Sequence, residues 1–330
     1  MTMGEMGERQ FLRSIRDLVG EIDGARLGFD DDASDIPFTD DKSLVINVDT
    51  LVGKTDWLPG MTEAQVGRKT AVMALSDLIA KGASPVATML SLCVPQDFEA
   101  VAAQELMRGF SQYCLKSRVP FIGGDVGSSN DVILTGVAIG LANPDGIIAR
   151  GGARSGDIVA VTGKFGLTSV AFEILLNGRK AEDNLKSRAL GAAYKPDIHH
   201  GFVSALVKKR AVTSSMDSSD GLAITLNTMA AHSKLSFLIE HLPIAEDVTH
   251  FAKDIDVQER KLVLEGGEEF ILVLTIPHDR WDDALGVARK THTPLWRIGH
   301  AREGEGVQLE TSEGYVEIPP KGYDNFREWE

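Results

Sequence analysis

Two of the most apolar runs in this chain stop at an aspartate: SLVINVD (43–49) ends on Asp49 and VPFIGGD (119–125) on Asp125. Such runs read as buried strands. A carboxylate at a strand's end belongs at the rim of a sheet, where strand ends and helix starts line a shared crevice. Further acids fall at comparable breaks. Asp31 and Asp32 lie in GFDDDAS, and Asp217 and Asp220 lie in SMDSSDG, ahead of a helix-like run. Each alone is an ordinary turn former; the set says more. Carboxylates converging on one crevice repel, so they demand divalent cations. Oxygen donors suit Mg²⁺, which takes one or two carboxylates and fills its shell with phosphate oxygens and water. The pattern predicts a site that handles a polyphosphate through several magnesium ions.

Between these breaks the periodicity changes. Phe11, Ile15 and Leu18 predict an amphipathic helix over 8–22. A clearer helix runs over 62–82. Thr62 and Gln65 have capping-box spacing, Val66, Val72, Leu75 and Ile79 recur, and Gly82 stops it. Asp77 falls in its last two turns, where the helix dipole disfavours a carboxylate. Strands are expected at 86–95 and 132–142, with a helix at 98–116. Several strands would then be neighbours, so an α+β layer and a doubly wound sheet both remain open. RGGARSGD (150–157) is glycine-rich and polar, a domain boundary. The chain's 330 residues exceed one ordinary core, so two domains are expected, 1–149 and 150–330. In the second, DIVAVTG, KLSFLIE and FILVLTIP read as strands, LTSVAFEILL and 197–209 as helices, and SMDSSDG as a polar loop opening a helix.

Bulk properties exclude whole classes. The formal charge of −14 argues against nucleic acid as a partner, because phosphate backbones need a basic surface. The start lacks the apolar core of a signal peptide, and the run at 132–142 is too short to span a bilayer. A soluble, cytoplasmic protein that neither binds nor crosses a membrane is expected. Cys93 and Cys114, the only cysteines, read as buried thiols.

Gly53-Lys54-Thr55 invites a test for a phosphate-binding P-loop. That loop needs a glycine five positions earlier, because its backbone amides wrap the phosphates. Val48 stands there. Asp-Trp-Leu-Pro-Gly follows in place of a helix, so the P-loop is rejected and Lys54 reads as solvent-exposed. His199-His200 has no acid spaced for a metal and reads as a surface helix position.

The succession GFDDDAS, VDTLV, ALSDLIAKGASP, FIGGD, ARGGARSGD, SMDSSDGL, LEGGEEF and KGYDNF resembles the thiamine-monophosphate kinase family, from Gly7-Glu8 to Phe326. That family sits in the superfamily of aminoimidazole ribonucleotide synthetase. The resemblance implies an N-terminal α/β domain that dimerises through its strands, a C-terminal α+β domain, and a homodimer. It implies ATP bound without a P-loop and its γ-phosphoryl passed directly to the phosphate of thiamine monophosphate. Mg²⁺ is the implied cofactor, with K⁺ a further candidate. Asp32, Asp49, Asp77, Asp125, Asp217 and Asp220 would hold magnesium, with Asp31 assisting, and Asp77, Asp217 and Arg150 would be the catalytic set. Gly124, Asp125, Arg150 and Ser219 would meet ATP. Glu268 and Tyr323 would face the thiamine, a carboxylate for its cationic ring and an aromatic ring to stack on it.

Departures from the family fall on the acceptor side. Asp56 and Trp57 stand where the family usually has histidine and phenylalanine, and an acid there repels a substrate phosphate. Asn47 and Val48 replace a serine–threonine pair, Asp30 replaces a glycine, and FIGGDVGSSN lacks two threonines. A sister kinase acting on another phosphorylated heterocycle is therefore an alternative. A maturation or binding partner, as in the hydrogenase branch, would be expected to carry a C-terminal cysteine. This chain ends FREWE.

Overall fold

Alternating burial along the strands sets the layering. In the computed structural model, which describes residues 1–20, 22–324 and 326, the first sheet holds β1 (Ser34–Thr39), β2 (Lys42–Val52), β3 (Ser84–Val94), β4 (Phe121–Ser128) and β5 (Ile133–Ala142). Their order is β1-β2-β5-β3-β4, antiparallel except for β3 with β4. Three short helical pieces come first in the chain: α1 (Met3–Met6), α2 (Glu8–Ser14) and the single turn α3 (Gly53–Asp56). Then α4 (Glu63–Ala80) and α5 (Ala100–Lys116) pack together over one face of the sheet. The two helices cross closely. A Cβ on Gly67 would lie 1.8 Å from the Leu106 carbonyl oxygen, and one on Gly109 2.0 Å from that of Ala64. Among the described residues no helix packs over the other face of the sheet. Ile46, Val137 and Ile139 are half-buried there, and Val48 and Ile122 are each 60% exposed.

The second sheet holds β6 (Ile158–Val161), β7 (Ser214–Ser218), β8 (Ser236–Ile239), β9 (Ile271–Ile276), β10 (Trp296–Arg302), β11 (Val307–Thr311) and β12 (Gly314–Glu317). Its order is β12-β11-β8-β10-β6-β9-β7, antiparallel except for β11 with β8. Around it stand α6 (Leu167–Leu175), α7 (Asp183–Tyr194), α8 (Phe202–Lys208), α9 (Leu222–Ser233), α10 (Val248–Asp254), α11 (Glu259–Leu264) and α12 (Trp281–Thr291). Every residue of β6 and β8 is buried, so these strands are covered on both faces. One apolar cluster continues from Val45 and Leu75 in the first half to Leu226 and Phe237 in the second. The architecture is α/β and α+β, as the sequence implied, with a largely antiparallel first sheet.

Several expectations change. The helix over 8–22 stops at Ser14, because its apolar face finds no core; α2 buries nothing and Leu18 is 82% exposed. The strand begun at 43 runs on to Val52 and that at 121 on to Ser128, so Asp49 and Asp125 lie within strands and not at their ends. SMDSSDG is strand up to Ser218, and only residues 219–221 form the loop that opens the next helix. His199 and His200 precede α8 and are half-buried, with His200 beside the Tyr113 ring. Cys114 is buried, as expected, and Cys93 half-buried. GKT forms the isolated turn α3, with Lys54 exposed. Asn325 of the GYDNF stretch lies outside the described residues. No helix among the described residues is long and apolar enough to cross a membrane.

Candidate active site

α4 is the spine of the site. Its start is fixed by Thr62 and Gln65, which exchange both hydrogen bonds of the capping box. Its body packs between the first sheet and β7 of the second. Ser76 Oγ donates to Asp217 Oδ2 at 2.5 Å, joining α4 to β7. Asp77, the next residue, accepts from Asn47 Nδ2 at 2.9 Å. Asn47, which replaces a family serine, is thus an orienting donor for Asp77.

Asp77, Asp217, Asp49 and Asp220 form a mutually repelling group. Burial first, and then the charge of Asp217, pushes the Asp77 carboxyl well above the usual range. Burial, then Asp32, raises Asp217. Burial, with the charges of Asp217 and Asp220, moves Asp49 up to about 7. Asp220 is raised to about 6, chiefly by burial and against the pull of Arg9 3.3 Å away. A neutral carboxyl is what a carboxylate becomes when it lacks a cation.

Asp31 and Asp32 are differently placed. Both are nearly buried and lie against the ammonium of Lys81, at 2.6 and 2.5 Å, and both touch the Arg150 guanidinium. Burial opposes ionisation of Asp31, but Lys81 and Arg150 outweigh it and hold its carboxyl below the usual range. Arg150, expected to reach ATP phosphates, is committed to Asp32 through Nη2 and to Asp31 through its backbone N–H.

Beyond Asp49 and Asp220 lies a cavity of about 170 Å³, lined by Thr55, Asp56, Phe172, Ser219, Glu268, Phe270 and Tyr323 among others. The loop 265–270 shapes its wall. Glu268 and Phe270 have φ of 62° and 51°, a left-handed backbone that β-carbon residues adopt at a cost. Glu268 N–H donates to Ser219 O at 2.6 Å. The Glu268 carboxylate pairs with Lys69, whose side chain is 1% exposed and whose Nζ also donates to Asp56 O at 2.9 Å. Burial raises the Glu268 carboxyl against the pull of Lys69. Tyr323 N–H donates to Asp220 O at 2.9 Å, which sets its ring on the cavity wall. A wider cleft of about 1190 Å³ opens on the other side of Tyr323, between the N-terminal helices and α11.

The structure therefore brings together Asp49, Asp77, Asp217 and Asp220, places Asp31, Asp32 and Arg150 beside them, and gathers Asp56, Ser219, Glu268 and Tyr323 around one cavity. It does not bring in Gly124 and Asp125. Both are exposed on edge strand β4, and Asp125 pairs with Ser91 on the face of the sheet away from α4, opposite to Asp49. The expected convergence of this aspartate with the others is not made within one chain. Trp57 is also elsewhere. The turn α3 rotates it toward the core, where its indole N–H needs a partner and finds Met61 O at 3.0 Å.

Sequence reasoning missed Lys69 and Lys81. A signal was there: Lys69 sits three residues after Val66 and three before Val72, inside the apolar stripe of α4.

Comparison with known proteins agrees with this layout. Residues 30–142 match the N-terminal domain model of AIR synthase related proteins, and 154–312 match the C-terminal one. A thiamine-monophosphate kinase of Nitrosopumilus maritimus is 33% identical over 87% of this chain and 90% of its own length. Among solved structures, AaThiL complexed with AMPPCP and TMP superposes with a TM-score of 0.83 at 25% identity, covering 98% of this chain and 99% of that one. The protein tt0281 of Thermus thermophilus gives 0.84 at 30% identity, covering 93% and 98%. With matches of this extent, the chain belongs to the thiamine-monophosphate kinases, an enzyme family among the AIR synthase related proteins.

Proposed function

We propose that this enzyme converts thiamine monophosphate to thiamine diphosphate, taking the γ-phosphoryl of ATP by direct in-line transfer in a magnesium-dependent reaction. The observation that carries the reading is the repelling Asp49–Asp77–Asp217–Asp220 group beside a small cavity with an aromatic and an acidic wall. The acceptor's phosphate is already a nucleophile, so positioning and charge neutralisation supply most of the acceleration.

The residues fit magnesium. Among the described residues no three His, Cys, Asp or Glu side chains close into a metal shell; the fit rests on the oxygen donors themselves, since Mg²⁺ takes one or two carboxylates and completes its octahedron with water and phosphate. Asp49, Asp77, Asp217 and Asp220 would share several such ions, one or two carboxylates to each, and when bound the ions supply positive charge to the phosphate oxygens. Ser219 and the part of the Arg150 fork that Asp32 leaves free would meet ATP. For Gly124 and Asp125 the support is the family motif alone. Tyr323 would stack on the acceptor ring and Glu268 would face its positive charge.

The uncovered face of the first sheet, with Val48 and Ile122, supports a homodimer formed there. Asp56 on the cavity wall favours a second reading, in which the acceptor is another small phosphorylated heterocycle. The test is to incubate the protein with Mg-ATP and thiamine monophosphate, with an EDTA control, and quantify thiamine diphosphate. Metal-dependent product supports the proposal; product only from another member of an acceptor panel supports the second reading.

A further inference from the structure

Lys81 is the residue just past α4, and its side chain is wholly buried. Three oxygens lie within 3.1 Å of its ammonium: Asp31 Oδ1 at 2.6 Å and Asp32 Oδ2 at 2.5 Å as ion pairs, and Ser215 O at 3.1 Å as a hydrogen bond. An ammonium has three donors and no more. The carboxylates are equally committed. Asp31 Oδ1 also accepts from the Asp32 N–H at 2.9 Å, Asp31 Oδ2 accepts from the Arg150 N–H at 3.1 Å, and Asp32 Oδ1 accepts from Arg150 Nη2. Two negative charges meet two positive ones; three of the four carboxylate oxygens accept hydrogen bonds, and the fourth, Asp32 Oδ2, is held by the Lys81 charge alone, without a hydrogen bond.

We propose that Lys81 is the resident cation of the Asp31–Asp32 pair, standing where a divalent ion would otherwise be required. This deepens the kinase reading above and rests on it for the presence of magnesium in the cleft. It follows that Asp31 and Asp32 are not metal ligands in this enzyme. Ion uptake falls to Asp49, Asp77, Asp217 and Asp220, none of which makes an ion pair with a lysine among the described residues, although the Lys81 charge reaches Asp217. Lys81 is then a positioning residue, because it fixes the GFDDDAS loop against β7 beside the metal-binding group.

The test counts bound Mn²⁺ by electron paramagnetic resonance, with a non-hydrolysable ATP analogue present and no acceptor. We expect D32N to bind as many ions as the unsubstituted chain and D77N to bind fewer. K81M, which uncovers the acid pair, is expected to bind one ion more, and K81M/D32N to lose it again. In EDTA, K81M should melt below the unsubstituted chain and recover with Mn²⁺ by a larger shift than that chain shows. Loss of one ion in D32N overturns the proposal, as does an unchanged count in K81M. Should K81M fail to fold, D32N in the native background decides. Since neither acceptor nor turnover is needed, failure to form thiamine diphosphate in the earlier assay would be a separate result.

Discussion

Asp77 to asparagine keeps the side chain's shape and its acceptor for Asn47, and removes one charge from a group of four. Phosphoryl transfer should fall at least about 100-fold, the scale of losing one electrostatic contact to the transition state, read as acceptor-dependent ADP release. The same change relieves repulsion, so the metal-free protein should melt higher than the parent. Lys69 makes the opposite case. Removing one partner of a buried pair leaves the other uncompensated, at about 3–5 kcal/mol. K69M should be strongly destabilised and K69M/E268Q partly restored, both measured by denaturant unfolding. Glu269 gives a pH signature. Burial raises its carboxyl from 4.5 to about 7, against hydrogen bonds from Gly166 N–H and the Thr168 hydroxyl. Between those values the folded state holds the proton and the unfolded state does not. Stability from this group is full below about 4.5 and is lost as pH rises through about 7, by at most about 1.4 kcal/mol per pH unit. E269Q should flatten that slope in melting temperatures recorded from pH 5 to 8. At this scale the carboxylates were legible in the sequence, because an aspartate beside an apolar run is conspicuous. Their division into a neutralised pair and an unpaired group was not, since it depends on Lys81 and Arg150, which only the fold brings to Asp31 and Asp32.

Elements whose signals are local were read well, and those whose signals are tertiary were not. α4 carries its own start in Thr62 and Gln65, and T62A should cost about 1 kcal/mol, seen as a small fall in melting temperature with unchanged nucleotide affinity. β7 was read as a loop because SSMDS has no apolar alternation. Its three serines are nevertheless buried; Ser214 Oγ bonds across the sheet to Thr275 Oγ1 at 2.6 Å, whereas the Ser215 and Ser218 hydroxyls have no hydrogen-bond partner and only their backbone joins the ladder. A polar strand can be buried when its neighbours supply hydrogen bonds, and no periodicity announces that. α2 erred the other way, with helical spacing but nothing to pack on.

For the whole molecule, the two-layer halves followed from the order of elements and from the family resemblance, whereas the closeness of the halves did not. The open face of the first sheet carries the homodimer proposal to a direct measurement. Sedimentation should give a dimer, and I122K or V48K should shift it toward monomer by placing an ammonium in a dehydrated contact. A further consequence comes from α4, which belongs to the first sheet yet sends Lys69 to Glu268, Ser76 to Asp217 and Lys81 to Ser215 O of the second half. Cutting the chain near residue 150 would leave Lys69 in one fragment without Glu268 in the other, part Ser76 from Asp217, and take Ser215 O from Lys81, which would keep Asp31 and Asp32. Neither fragment should be soluble when expressed alone, while co-expression should rescue both. The two halves would then have to be inherited, and to diverge, as one piece.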